Sequence, residues 1–228
     1  PFSNCYVAQQ LHAKIPANSV MNFAILNSLR CWSYFQLDPS IQGYANVAAF
    51  GIDGCNSMLF GESMKTDELC FIVTGDLAFF YDLNSLGNRH IGKNLRILIV
   101  NNGIGAEFKL SSHRCYVFGD KANNYMAAAG HYGNKSPKLV KHFAEDLWFR
   151  YLSATNKEEY LEAVKEFANP VVSDKSIIFE IFTNHEDENA ALGLMTTIVT
   201  DAKANAKHAV KSILGEKGVN FVKKIVGK

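Results

Sequence analysis

No Cys-x-x-Cys pair and no His-Cys cluster occurs in this sequence. Cys5, Cys31, Cys55, Cys70 and Cys115 are odd in number and widely scattered. Neither a disulfide framework nor a zinc site is indicated, so the cysteines read as buried thiols in a reducing cytosol. Charge of one sign is also lacking: 23 basic against 22 acidic residues leave a net charge of +1, which provides no field for nucleic acid. No run of 18 apolar residues and no signal peptide is visible, so a soluble protein is expected, with no membrane partner and, from its thiols, a cytoplasmic location. His12, His90, His113, His131, His142, His185 and His208 show no zinc-type spacing and read as surface or capping residues. A nicotinamide fingerprint is missing, because neither GDLAFF nor NNGIGAEF satisfies G-x-G-x-x-G, and no P-loop occurs.

What is present is a chain of 228 residues, 48% of them apolar, enough to bury a substantial core. Short apolar runs at 22–26, 69–73, 95–100 and 177–182 alternate with segments of helical spacing at 28–36, 76–88, 136–151 and 156–168. The alternation predicts an α/β fold in three layers, a parallel sheet flanked by helices on both faces. Asn156 ahead of Glu158 and Glu159 is an N-cap followed by first-turn acids. From residue 186 onward Ala, Lys and small apolar residues dominate, and seven lysines fall between Lys203 and Lys228. Val210, Ile213, Leu214, Val219, Val222 and Ile225 are spaced for one face of a helix. The expected organisation is one domain over 1–187 and a basic helical tail over 188–228.

Two polar pairs stand where buried strands would end: Gly75-Asp76 after one apolar run and Asn101-Asn102 after the next. In an open parallel sheet, ligands collect beyond the carboxyl ends of the strands. The carboxylate of Asp76 and the amide of Asn102 are hard oxygen ligands suited to Mg²⁺ or Ca²⁺. Two such ligands leave positions that Mg²⁺ commonly fills with phosphate oxygens and water, which implies a phosphorylated cofactor. Gly75, Gly103 and Gly105 would let backbone approach it, and a helix starting near Leu77 would offer N–H donors. Alone, Asp76 reads as an N-cap and the asparagines as turn residues; the pairing of both at strand ends is what points to a site.

Gly75-Asp76, the 24 residues from Leu77 to Val100, and Asn101-Asn102 together resemble the signature of thiamine-diphosphate-dependent enzymes. ILNSLR at 25–30, GIDGCNSMLFG at 51–61 and GDLAFFYDLNSL at 75–86 look like the C-terminal domain of 2-succinyl-5-enolpyruvyl-6-hydroxy-3-cyclohexene-1-carboxylate synthase of menaquinone synthesis. The likeness covers roughly residues 10–185 and implies the thiamine-diphosphate-binding fold. It implies that Asp76, Asn102 and the carbonyl of Ile104 bind Mg²⁺. Asn27, Ser28, Gly51, Ile52, Gly75 and Leu77 would join them around the cofactor, with Ile52 propping it into a bent shape. The implied reaction is decarboxylation of 2-oxoglutarate and addition of the remainder to isochorismate, with Arg30 and Phe108 on the substrate side.

This chain departs from the family pattern in several places. Val47 stands where the family has a substrate-binding arginine, and Arg30 comes earlier than the second one. Glu107 occupies a position that tends to be apolar, where an acid would repel a substrate carboxylate unless protonated or turned away. The lysine-rich tail is not part of the pattern either. The family also needs an activating glutamate from a pyrimidine-binding domain, for which this chain has no room. Pro1 in place of Met suggests that upstream sequence is cut away, so the expectation is part of a longer, oligomeric enzyme, a dimer or tetramer. The alternatives are a decarboxylase or carboligase acting on a different 2-oxo acid, and a non-catalytic cofactor-binding or assembly module. Asp82, in the helix after Asp76, is a candidate partner for Lys93 or Arg89.

Overall fold

The structure, a computed structural model, describes residues 1–47, 51–131 and 136–198. Its centre is one sheet of six parallel strands: β1 (Val20–Phe23), β2 (Gln42–Ala45), β3 (Cys70–Gly75), β4 (Leu95–Asn101), β5 (Arg150–Ala154) and β6 (Ile177–Phe182), in the order β2-β1-β3-β4-β6-β5. Parallel neighbours require crossovers, and α2 (Asn27–Trp32), α3 (Cys55–Ser63), α4 (Asp76–Tyr81), α5 (Leu139–Asp146) and α6 (Lys157–Phe167) supply them, while α1 (Asn4–Leu11) precedes β1 and α7 (His185–Ile198) follows β6. β4 reads Leu-Arg-Ile-Leu-Ile-Val-Asn and is buried along its whole length, as a central strand covered on both faces must be.

Side chains alternate across the sheet and give each face its own core. On one face Cys70, Ile72, Leu95, Ile97, Ile99 and Ile178 pack with Cys55 and Leu59 of α3, Ala78 and Phe79 of α4, and Val140 and Ala144 of α5. On the other, Phe179 of β6 stacks on Tyr160 of α6 at 5.6 Å between centroids, and Phe167 bridges Phe179 and Phe71 at 5.4 and 5.6 Å. The Tyr160 hydroxyl donates to the Val7 carbonyl at 3.0 Å, which ties α6 to α1 without leaving a buried phenol unsatisfied. α6 starts as its sequence predicts, with Asn156 Oδ1 accepting from the Glu159 N–H at 2.9 Å.

The strand order places a topological switch between β1 and β3. The chain leaves β1 through α2 for the edge strand β2, then returns through α3 to β3 on the opposite side of β1. The segments after β1, β3 and β4 therefore converge at one sheet edge, where a crevice opens.

Parallel architecture and the strand at 177–182 agree with expectation, and several boundaries differ. The run at 22–26 forms a strand only to Phe23, because Leu26 adopts φ 65° and turns the chain into α2. That helix ends at Trp32 and not at 36, and the segment 76–88 is α4 followed by a 3-10 turn, Leu83–Gly87. The largest correction is 136–151, read as one helix. α5 stops at Asp146, Trp148 takes a left-handed φ of 66°, and Arg150–Ala154 form the edge strand β5. Val140, Phe143, Leu147 and Tyr151 are spaced as a helix stripe, and no Gly or Asn marks the turn at Trp148. α1 and β2 were not foreseen either; β2 is short and almost wholly exposed.

One compact unit runs Pro1–Ala191, and a second, Leu192–Lys228, begins within α7. Of the second only residues 192–198 are described, and they are helical; the lysine-rich helix expected over 210–225 lies outside the described residues. No helix among the described residues is long and apolar enough to cross a membrane.

Candidate functional site

A cleft of about 260 Å³ lies at the switch point, lined by Ile25, Leu26, Asn27 and Ser28 after β1, Ile52 before α3, and Gly75, Asp76, Leu77, Ala78 and Tyr81 after β3. Asn102, Ile104, Gly105, Ala106, Glu107, Phe108 and Ala127, after β4, close it. It brings together Asn27, Ser28, Ile52, Gly75, Asp76, Leu77, Asn102, Ile104 and Phe108 of the residues named from sequence. Gly51 and Arg30 are not in its lining. Gly51 lies in the turn behind Ile52, where its carbonyl accepts from Asn46 Nδ2 at 3.3 Å. Ile52 is half-buried, packed against the core under α3 on one side and facing the cleft on the other.

Asp76 is the first residue of α4, where a negative charge suits the positive end of the helix, but its side chain does not cap that helix. Its Oδ2 accepts from the Gly103 N–H at 2.8 Å and lies 2.7 Å from His131 Nε2, and the residue is 2% exposed. Gly103 needs its φ of 76°, which a residue with a Cβ rarely adopts, to turn its N–H back toward Asp76. Gly105 is required by space, since a Cβ there would stand 2.6 Å from the Ala127 carbonyl oxygen. Asn102 Oδ1 accepts from the Ile104 N–H at 3.3 Å, and the Ile104 carbonyl accepts from the Ala106 N–H at 3.0 Å.

Behind this loop stands a chain of polar groups of which the sequence motif signalled Asn101 alone. The Gly103 N–H is shared with Asn101 Oδ1 at 3.1 Å, Asn101 Nδ2 donates to Glu180 Oε1 at 2.7 Å, and the Tyr151 hydroxyl donates to Glu180 Oε2 at 2.7 Å. Burial raises the Glu180 carboxyl, and the bonds from Asn101 and Tyr151 oppose the rise. Burial, and then the charge of Glu180, push the Tyr151 phenol above its ordinary value. Leu26 supplies local strain at the cleft wall: φ 65° with ψ −122° is a backbone state that normally calls for glycine.

Arg30 and Glu107 meet at the side of the cleft. Arg30 Nη1 donates to Glu107 Oε2 at 2.8 Å and Nη2 to Oε1 at 3.1 Å, while Nη1 also donates to Asn27 Oδ1. The hydrogen-bonded partner Glu107 raises the Arg30 pKa further, against the effect of burial. From sequence Glu107 would repel a substrate carboxylate unless protonated or turned away; it lines the cleft and is paired with Arg30. His131 was read as a surface or capping residue; it is partly buried against Asp76, with Phe80 edge-on at 5.3 Å. Asp82 pairs with neither Lys93 nor Arg89: its carboxylate accepts from the Ser57 N–H at 2.6 Å and the Ser57 hydroxyl at 2.7 Å, and so caps α3. These contacts join residues dozens of positions apart, and their spacing carries no periodic signal.

No family model matches the chain. Its sequence is 35% identical over 184 residues to the 2-succinyl-5-enolpyruvyl-6-hydroxy-3-cyclohexene-1-carboxylate synthase of Christiangramia forsetii, a match covering 80% of this chain and 30% of that protein. The synthase of the same name from Bacteroides fragilis is 30% identical over 192 residues, covering 81% of this chain and 32% of that protein. Among solved structures, the thiamine diphosphate-dependent 4-hydroxybenzoylformate decarboxylase of Rhodococcus jostii RHA1 superposes with a TM-score of 0.58 at 16% identity, over 80% of this chain and 32% of that one. The parallel sheet with its cleft at the switch point is therefore the α/β fold of thiamine-diphosphate-dependent enzymes. Within that class the chain is a sequence relative of the 2-succinyl-5-enolpyruvyl-6-hydroxy-3-cyclohexene-1-carboxylate synthases, of whose length it spans about 30%.

Proposed function

We propose that the chain is the diphosphate- and Mg²⁺-binding part of a thiamine-diphosphate-dependent 2-oxo acid decarboxylase or carboligase of the kind its sequence relatives represent. The observation that carries this reading is the buried Asp76 at the end of β3, opposite Asn102 and Ile104 at the end of β4, across one cleft. The donor set fits the group: a carboxylate, an amide oxygen and a backbone carbonyl are all hard oxygens. A Cβ on Gly75 would meet nothing within 4 Å, so there is free space beside Asp76. When bound, thiamine diphosphate supplies the carbon nucleophile and electron sink that decarboxylation of a 2-oxo acid requires.

The residues of this chain hold and shape. Asp76, Asn102 and the Ile104 carbonyl would hold Mg²⁺, and Asn27, Ser28, Gly75 and Leu77 border the space for a diphosphate. Ile52, Leu77 and Phe108 form apolar walls that exclude water. The relay from Tyr151 through Glu180 to Asn101 orients Gly103, which in turn orients Asp76. Calorimetry with thiamine diphosphate, with and without Mg²⁺, tests the reading. Mg²⁺-dependent binding is expected, with its loss in Asp76→Ala; binding that ignores Mg²⁺, or is unchanged in that variant, defeats it.

The activating glutamate belongs, in this reading, to a pyrimidine-binding domain of the same or a companion polypeptide, within a homo-oligomer. Among the described residues the acids lining the cleft are Asp76 and Glu107, and both are engaged. Tyr81 beside the cleft, with Val117, Phe118 and Tyr125 on the segment after β4, stand largely in water and offer an apolar surface for that domain. The free thiols suit a cytoplasmic enzyme. A second reading, a 2-oxo acid other than 2-oxoglutarate, is favoured by one observation: the guanidinium of Arg30 is already occupied by Glu107.

A further inference from the structure

We propose that Arg30 and Glu107 form a specificity-determining pair that makes the cleft select a 2-oxo acid with an uncharged tail over one whose tail ends in a second carboxylate. The inference rests on the thiamine-diphosphate reading and names the substrate class of the same site. A dicarboxylic substrate needs a cation on the wall that receives its tail. Among the described residues the charged side chains lining the cleft are Asp76 and Glu107, both acids, and Asp76 belongs to the metal position. Arg30 stands just behind the lining with both terminal nitrogens on Glu107 and one also on Asn27.

A tail carboxylate could reach that guanidinium only by displacing Glu107. The displaced side chain, 18% exposed, would lose its counter-charge and face an incoming charge of its own sign. An apolar or hydroxylated tail meets no such conflict, because the remaining wall is uncharged and includes the apolar side chains of Ile25, Leu26, Ile52, Leu77 and Phe108. The pair sits on α2 and on the 3-10 turn Ala106–Lys109, so it also fixes the distance between the segments after β1 and β4.

The test compares kcat/KM for 2-oxopentanoate and 2-oxoglutarate, equal in length and differing at the tail, on the enzyme assembled with the region that completes its site. The wild type should favour 2-oxopentanoate by about tenfold or more, as expected for a tail that must break a partly buried ion pair. Glu107→Gln frees Arg30 and should lower that ratio by about tenfold, chiefly through KM for 2-oxoglutarate. The double variant Arg30→Met with Glu107→Leu carries neither charge and should keep the wild-type preference. A wild type that prefers 2-oxoglutarate overturns the proposal, and so does a double variant as permissive as Glu107→Gln. The wild-type ratio decides the sign even where a variant does not fold. Mg²⁺-dependent binding of thiamine diphosphate, measured by calorimetry on the same preparations, separates the two levels: its absence in the wild type overturns both readings, whereas its presence with a preference for 2-oxoglutarate overturns this one alone.

Discussion

At the scale of single residues, buried acids carry the sharpest consequences. Glu188 of α7 is 1% exposed and accepts from the Asn4 N–H at 3.0 and 3.1 Å and from the Thr183 hydroxyl at 2.9 Å. Burial raises its carboxyl to about 7 from 4.5, against those hydrogen bonds. Between these two values the unfolded chain releases a proton that the folded chain keeps. The stabilisation is therefore fully present below pH 4.5 and is lost as pH rises through 7, by an amount on the order of 3 kcal/mol. Thermal unfolding followed from pH 4.5 to 8 should show this decline in the wild type and a flatter profile in Glu188→Gln. Identical slopes in the two proteins would count against the assignment. Leu26 and Trp148 pose a different residue-scale problem, because both hold positive φ without being glycine. Neither position could be recognised from its residue type, since leucine and tryptophan are poor markers of a left-handed turn.

At the scale of elements, the site depends on how neighbouring segments brace one another. α3 begins after the turn that carries Ile52, and its first turn is capped by Asp82, a residue beyond the end of α4. Asn56 Nδ2 donates to the Phe79 carbonyl at 3.1 Å and to the Asp82 carbonyl at 3.3 Å, which fastens the same two helices. Asp82→Ala should cost about 1 kcal/mol, the usual value of a helix cap, measured by urea unfolding. A loss below a few tenths would mean that Ser57 finds another acceptor. Strand β5 shows a second kind of dependence. Read as the end of a helix, Tyr151 has no role; placed on an edge strand beside β6, its hydroxyl reaches Glu180 and so supports the loop that holds Asp76.

At the scale of the whole molecule, the cleft is, in the proposed reading, half of a catalytic site. It contains oxygen ligands, apolar walls and a neutralised ion pair, and among the described residues it offers no acid free to activate a cofactor. The chain is therefore expected to bind Mg²⁺ and thiamine diphosphate yet release no carbon dioxide from 2-oxo acids by itself. Turnover should appear when the region of its relatives that it does not span is supplied; release by the chain alone would show that the activating group is already here. The sequence by itself determined the layer architecture, because buried parallel strands must be continuously apolar and their crossovers amphipathic. It also determined that Asp76 and Asn102 converge at the switch point, because Asp76 and the Asn101-Asn102 pair follow directly on recognisable strands. The tertiary structure alone decided that His131 meets Asp76, that Glu180 and Tyr151 stand behind Asn101, and that Glu107 takes Arg30 for itself. Those contacts join segments separated by 55, 79 and 77 residues, and their energy comes from burial and charge where separate strands, helices and loops meet, which no local period or propensity encodes.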